Sequence, residues 1–100
     1  MRYQYPYGNA AEAHKLRIWI KGKTIEGYDA RVWRQDIYGN IMKFSEHGDI
    51  DSKFGWEIDH IKPRSLGGSD EIINLQPLYW RNNRAKSDYY PWDFLGGRGG

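Results

Sequence analysis

The sequence predicts an α+β domain, on three observations. Residues 55–61, GWEIDHI, alternate in the way a half-exposed strand does. One run, AAEAHKL at 10–16, is rich in helix formers, and YWRNNRAKSD at 79–88 reads as a second helix, ended before Pro91. Gly, Pro and Asn-bearing turn signals separate the segments at intervals too short for long helices, and no internal repeat is present. A chain of 100 residues supports one modest core. With five Trp, eight Tyr and three Phe, that core is expected to be aromatic, with Trp33, Trp56 and Trp80 as its candidates.

Taken in order, residues 1–8 read as an irregular arm, and Asn9 as the cap of a helix reaching Leu16. RIWI at 17–20 is β-branched and aromatic and predicts a strand, followed by a turn at 21–23. Asp29 is placed to cap a second helix over 30–36, ended by the turn YGN at 38–40. IMKF at 41–44 predicts a strand, and the polar stretch 46–55 a loop. Residues 55–61 follow as a strand, with Trp56, Ile58 and His60 on one side and Glu57, Asp59 and Ile61 on the other. Pro63 and Gly67-Gly68 mark 63–71 as a loop. IINLQPL at 72–78 returns as a strand, with Pro77 near its end, where a lost ladder donor is tolerated. Residues 79–88 predict a helix that stops before Pro91 and, having poor apolar periodicity, packs through few residues. The expected organisation is an N-terminal extension at 1–54 packed on a chemical unit at 55–90, with a flexible tail at 91–100.

Composition excludes several classes. The chain has no Cys, so disulfides and thiolate zinc sites are out. No stretch is apolar enough for a signal peptide or a membrane span, so the expected setting is cytoplasmic, without membrane partners. The net charge of +2 is weak evidence for a polyanion partner, but its placement is stronger. Lys62, Arg64, Arg81, Arg84 and Lys86 surround the most chemical part of the chain. Lys15, Arg17, Lys21 and Lys23 form an earlier basic stretch, for which a solvated face is an equal reading.

The chemistry concentrates on Asp59, His60, Asn74, Asn83 and Lys86. Adjacent residues on a strand diverge, so Asp59 and His60 share a site only if the strand distorts or ends there. Asn83 and Lys86 lie three apart on one helix face. A helix crossing the hairpin would bring Asp59 and Asn83 to one cation and leave His60 free to act on water. These are the parts of a phosphodiester hydrolase: a base titrating near neutrality, a cation to offset developing charge, and cationic side chains near the phosphate. An Asn in the facing strand would hold the imidazole in one orientation.

Residues 59–70, DHIKPRSLGGSD, followed by NLQPL and NRAK, resemble the HNH nuclease motif. Fourteen positions separate His60 from Asn74 and nine separate Asn74 from Asn83, spacings similar to the family's. The resemblance covers residues 55–88 and implies a ββα-metal finger. It implies Asp59 and Asn83 as metal ligands and His60 as the general base. It implies Asn74 as the residue orienting His60 through the loop or the ring. Lys86, with Arg84, would contact phosphate, and the other basic residues the nucleic-acid backbone. Two departures from the family pattern matter. The third motif letter is Asn83 rather than His, as in the HNH domains of CRISPR RNA-guided nucleases, and an all-oxygen ligand set favours Mg²⁺, with Mn²⁺ next. The Cys pair that many relatives carry for a structural zinc falls on Tyr79 and Asn82, so no structural zinc is expected.

Each of these residues alone has a plain structural role: a packed histidine, an Asx turn, a solvated lysine. Only their order and spacing lift the reading. His14 and His47 lack such company and are expected on the surface. Tyr3, Tyr5 and Tyr7 suit base stacking and packing equally. The function implied is hydrolysis of DNA, with RNA as the alternative substrate, at low sequence specificity. A monomer would nick, whereas double-strand cleavage would require a dimer or a second domain. Two rivals are a non-catalytic nucleic-acid-binding module of the same shape and a toxin nuclease paired with an immunity protein. A non-catalytic relative would be expected to have lost His60 or a ligand.

Overall fold

The structure is a computed structural model that describes residues 10–91. The expectations for the N-terminal arm, the Asn9 cap, the three early tyrosines and the tail beyond 91 lie outside them. Two helices and two separate two-stranded antiparallel sheets give an α+β architecture.

Helix α1 spans Ala10–Trp19 and overturns the strand expected at 17–20. Its last turn carries Ile18 and Trp19 into the interior, both fully buried. Propensity is a weak prior, and the helical path is the one that puts these two side chains, with Leu16, on the core side. Ile20, one residue past the helix, is 57% exposed.

The helix expected at 30–36 is instead a tight turn followed by strand β1, Trp33–Gln35. Asp29 does organise this turn. Its carboxylate accepts from the Arg31 amide at 2.9 Å, and its carbonyl accepts from the Val32 and Trp33 amides. β1 then pairs with β2, Ile41–Lys43, in the register Arg34↔Met42. The expected turn at 38–40 joins them, with Gly39 at a φ of 87°, in the left-handed region. Phe44 leaves the strand to start a 3₁₀ turn.

The second sheet pairs β3, Trp56–His60, with β4, Leu75–Tyr79. β3 matches its expectation closely. The return strand starts late, because Ile72–Asn74 forms a 3₁₀ turn first. Pro77 therefore lies mid-strand, opposite Ile58. A two-stranded sheet tolerates this, since each strand has an unpaired edge on which a missing N–H breaks no ladder. Tyr79, expected in the helix, ends the strand, and helix α2 spans Trp80–Lys86.

Trp19, Met42 and Trp56 form the core, ringed by Leu16, Phe44, Ile58 and Tyr79. Trp19 and Trp56 lie with ring centroids 5.1 Å apart. Their indole N–H groups donate to the carbonyls of Ala30 and Phe44. Of the expected core tryptophans only Trp56 is fully buried. Trp33 and Trp80 are half-buried, and Trp19 takes the central place.

α2 has seven residues, too few to hold a helix unaided. Its buried face is polar, made by Asn82 and Lys86 one turn apart. Asn82 donates to Asp36 at 2.9 Å and to the Asn40 side chain at 2.7 Å. Asp36 is 2% exposed, and it also accepts from the amides of Tyr38, Asn40 and Tyr79. One buried carboxylate thus ties the β1–β2 turn to the β4–α2 junction. Lys21 donates to the carbonyls of Ile72 and Leu75, anchoring the end of the long loop to the first half of the chain.

Candidate active site

His60 is the last residue of β3, and this is how two diverging neighbours come to share a site. Asp59 and His60 line one open cleft of about 290 Å³ with Arg64, Ser65, Asn83 and Asp88. A larger cleft of about 460 Å³, lined by Lys21, Lys23, Gln35 and Gln76 among others, contains none of the five chemical residues. The smaller one is therefore the candidate site.

The His60 Nε2 lies 2.7 Å from Asp70 Oδ1. Asp70 was given no role above, although it closes the DHIKPRSLGGSD string, so its signal was in the motif. The hydrogen bond from His60, followed by the charge of Arg64, holds the Asp70 carboxyl below its usual range. An ionised carboxylate only accepts, so Nε2 carries the proton and the lone pair of neutral His60 is on Nδ1.

Asn74 sits at the end of the loop and closes it. Its Oδ1 accepts from the Lys62 amide at 2.9 Å. Its Nδ2 donates to the carbonyls of Lys62 at 3.0 Å and Ser69 at 2.7 Å. Of the two routes expected for this residue the contacts follow the loop, since none reaches the imidazole. The paired glycines make the same loop possible. Gly67 has a φ of 92°, and a Cβ at Gly68 would collide with the Lys62 carbonyl.

Asp59 is 5% exposed. Its Oδ2 accepts from Gln76 Nε2 at 2.8 Å, from the residue directly opposite on β4. Its Oδ1 accepts from Lys86 Nζ at 3.1 Å. Lys86 is itself 3% exposed and also donates to the His60 carbonyl at 2.9 Å. The lysine expected at the phosphate is thus inside the protein, because the face of α2 that bears it packs on β3. Removing one partner of such a buried pair destabilises by about 3–5 kcal/mol.

Asn83 Nδ2 donates to Glu57 Oε1 at 2.8 Å, and Arg84 donates to Glu57 Oε2 at 2.8 Å. Glu57 was also missed. The signal for it was its place two residues before Asp59 on the same strand side, facing α2. Burial raises the Glu57 carboxyl, but donors from Arg84 and Asn83, then the charges of Arg84 and His47, outweigh it and leave it below its ordinary value. With Nδ2 committed, Asn83 Oδ1 is the free end of the amide, and it accepts no hydrogen bond among the described residues.

The remaining basic residues lie outside. Lys62, Arg64, Arg81 and Arg84 are exposed, and Arg81 stacks 5.1 Å over the Trp80 ring. His14 and His47 are exposed, the latter with its ring against Trp56. No helix among the described residues is long and apolar enough to cross a membrane.

Strand, loop, strand and helix follow in this order and carry Asp59, His60, Asn74 and Asn83, and residues 46–89 match the HNH endonuclease family. Through this segment of 44 residues the chain is similar to HNH endonucleases. Among curated proteins it is similar to a probable mobile endonuclease C of Enterobacteria phage T4, 46% identical over 47 residues. The match covers 45% of this chain and 22% of that protein, so the chain aligns with less than a quarter of the relative's length. No solved structure matches it.

The family implies a divalent cation. Among the described residues no cluster of three or more His, Asp or Glu side chains is placed to hold one. The carboxylates of Asp59 and Asp88 and the unengaged amide oxygen of Asn83 nevertheless belong to residues that line the cleft, and such hard oxygen donors fit a divalent cation that keeps most of its waters. The chain has no Cys for a zinc staple.

Proposed function

We propose that the protein is a ββα-metal endonuclease that hydrolyses DNA phosphodiesters, nicking one strand at a time with little sequence preference. The observation that carries this reading is the convergence of His60, Asp59 and Asn83 on one cleft, with the imidazole already held by Asp70.

Nδ1 of His60 takes a proton from water as the water oxygen attacks phosphorus, while Asp70 keeps the ring in that tautomer and offsets its developing charge. Asp59 and Asn83 would hold a divalent cation, Mg²⁺ in preference to Mn²⁺, and when bound it would supply positive charge against the phosphate and the departing 3′-oxygen. The products are a 5′-phosphate and a 3′-hydroxyl. Arg64 lines the cleft on the side of Asp70 and meets the scissile phosphate, while Lys62, Arg81 and Arg84 meet the flanking backbone. Asn74 acts on the chemistry through the loop it closes. The absence of a base-reading element among the described residues supports low specificity.

The test is cleavage of supercoiled plasmid with Mg²⁺, Mn²⁺ or EDTA, comparing wild type with His60→Ala. Metal-dependent nicking by wild type that disappears in His60→Ala is the expected result. Salt-sensitive DNA binding without cleavage under any metal would replace this reading with that of a non-catalytic binding module.

A further inference from the structure

Lys86 is the only buried lysine or arginine among the described residues, and it is paired with Asp59, which lines the cleft. Two of its three donors are used, on Asp59 Oδ1 and on the His60 carbonyl. The second Asp59 oxygen is held by Gln76. The carboxylate proposed as a metal ligand is therefore already neutralised by a cation of the protein's own.

Two cations on one carboxylate oxygen repel strongly where water is excluded. The ammonium cannot stay at Oδ1 while that oxygen ligates a divalent ion. Lys86 is the last residue of α2, where a short helix frays most easily, so its ammonium can leave as the helix end opens. Asp88, two residues on, lines the same cleft and offers the released ammonium another carboxylate.

Building on the metal-site reading above, we infer that Lys86 and the divalent cation are alternative occupants of Asp59 Oδ1, so that Lys86 must swing out before Asp59 can ligate. The lysine then has two functions. It keeps a buried carboxylate paired and oriented when no metal is present, and it weakens metal affinity by competition. Metal binding becomes coupled to movement at the C-terminal end of α2.

The experiment is a Mg²⁺ titration of the wild-type protein followed by NMR on two groups, the Lys86 ammonium and the Asn83 side-chain amide. A buried, hydrogen-bonded ammonium exchanges slowly enough to be seen. Both signals should move with the same midpoint, the Lys86 resonance towards that of a solvated lysine. An Asn83 response with Lys86 unmoved would overturn the exchange and leave the metal site standing. No response from either group would overturn both. In parallel, Lys86→Met should bind Mn²⁺ at least about tenfold more tightly by calorimetry, whereas Arg84→Gln, which removes an exposed charge nearby, should change affinity no more than about threefold. Equal small changes in the two variants would count against direct competition. If Lys86→Met fails to fold, the wild-type titration alone decides.

Discussion

Asn74→Ala isolates the part the loop would play in the proposed catalysis. The side chain makes three hydrogen bonds that close the loop between β3 and the 3₁₀ turn, to Lys62 N, Lys62 O and Ser69 O. Each is worth about 0.5–1.5 kcal/mol net, with the low end expected where bonds lie near solvent. Their loss should make loop opening easier by about 1.5–3 kcal/mol, or roughly 12- to 150-fold in population. The Lys62 amide reports this directly, because Asn74 Oδ1 is its acceptor, and its hydrogen exchange should accelerate by that factor. Opening the loop moves Asp70 away from His60, and misplacement on the order of 1 Å costs about 100-fold in rate. The expected outcome in plasmid nicking is therefore a kcat about 100-fold lower with DNA affinity within about threefold of wild type. Asn74→Asp should be worse still. One oxygen would keep the Lys62 amide, but the other would face two carbonyls that can only accept. Full activity in Asn74→Asp, or a rate loss in Asn74→Ala without faster exchange at Lys62, would refute the loop argument and point to a direct chemical role.

Two further predictions follow from the carboxylates the fold brings into play. Glu57 is held below its ordinary value near 4.5, so its contribution to stability is full above that pH and is lost as pH falls through the lower folded value. Urea unfolding of wild type against Glu57→Gln should show a constant difference at pH 5–8 that shrinks below about 4.5, and a difference that grew on acidification would contradict the assigned bonds. Asp36→Asn places an amide against two pairs of donors, leaving buried N–H groups unsatisfied at about 1–3 kcal/mol each. Thermal unfolding should drop by on the order of 10–20 °C, with plasmid nicking well below the new Tm little changed.

The elements near the site were legible because their chemistry is local. Strand β3 announced itself by alternation, the loop by Pro63 and two glycines with steric reasons to be there, and α2 by helix formers ending before Pro91. The first half was legible only in part. IMK and the turn before it came out as expected, but RIWI and ARVWRQD each took the other regular conformation. Both contain β-branched and aromatic residues whose intrinsic preferences differ by less than the burial of one tryptophan contributes, so packing decided them. Trp19 became core because α1 turns it onto Trp56, a choice that no window of seven residues contains.

For the site, order and spacing alone singled out Asp59, His60, Asn74 and Asn83 as candidates, since a motif is a local property, and the fold brings Asp59, His60 and Asn83 to one cleft. What those residues touch was a tertiary matter. Folding put Lys86 on Asp59 instead of in solvent, gave Asp70 to His60, and set Glu57 as the partner of Asn83. The reason is geometric. A seven-residue helix with a polar buried face is oriented by the carboxylates it meets on β3 and in the β1–β2 turn. Those partners stand from 26 to 46 residues away in sequence, where no local pattern reaches.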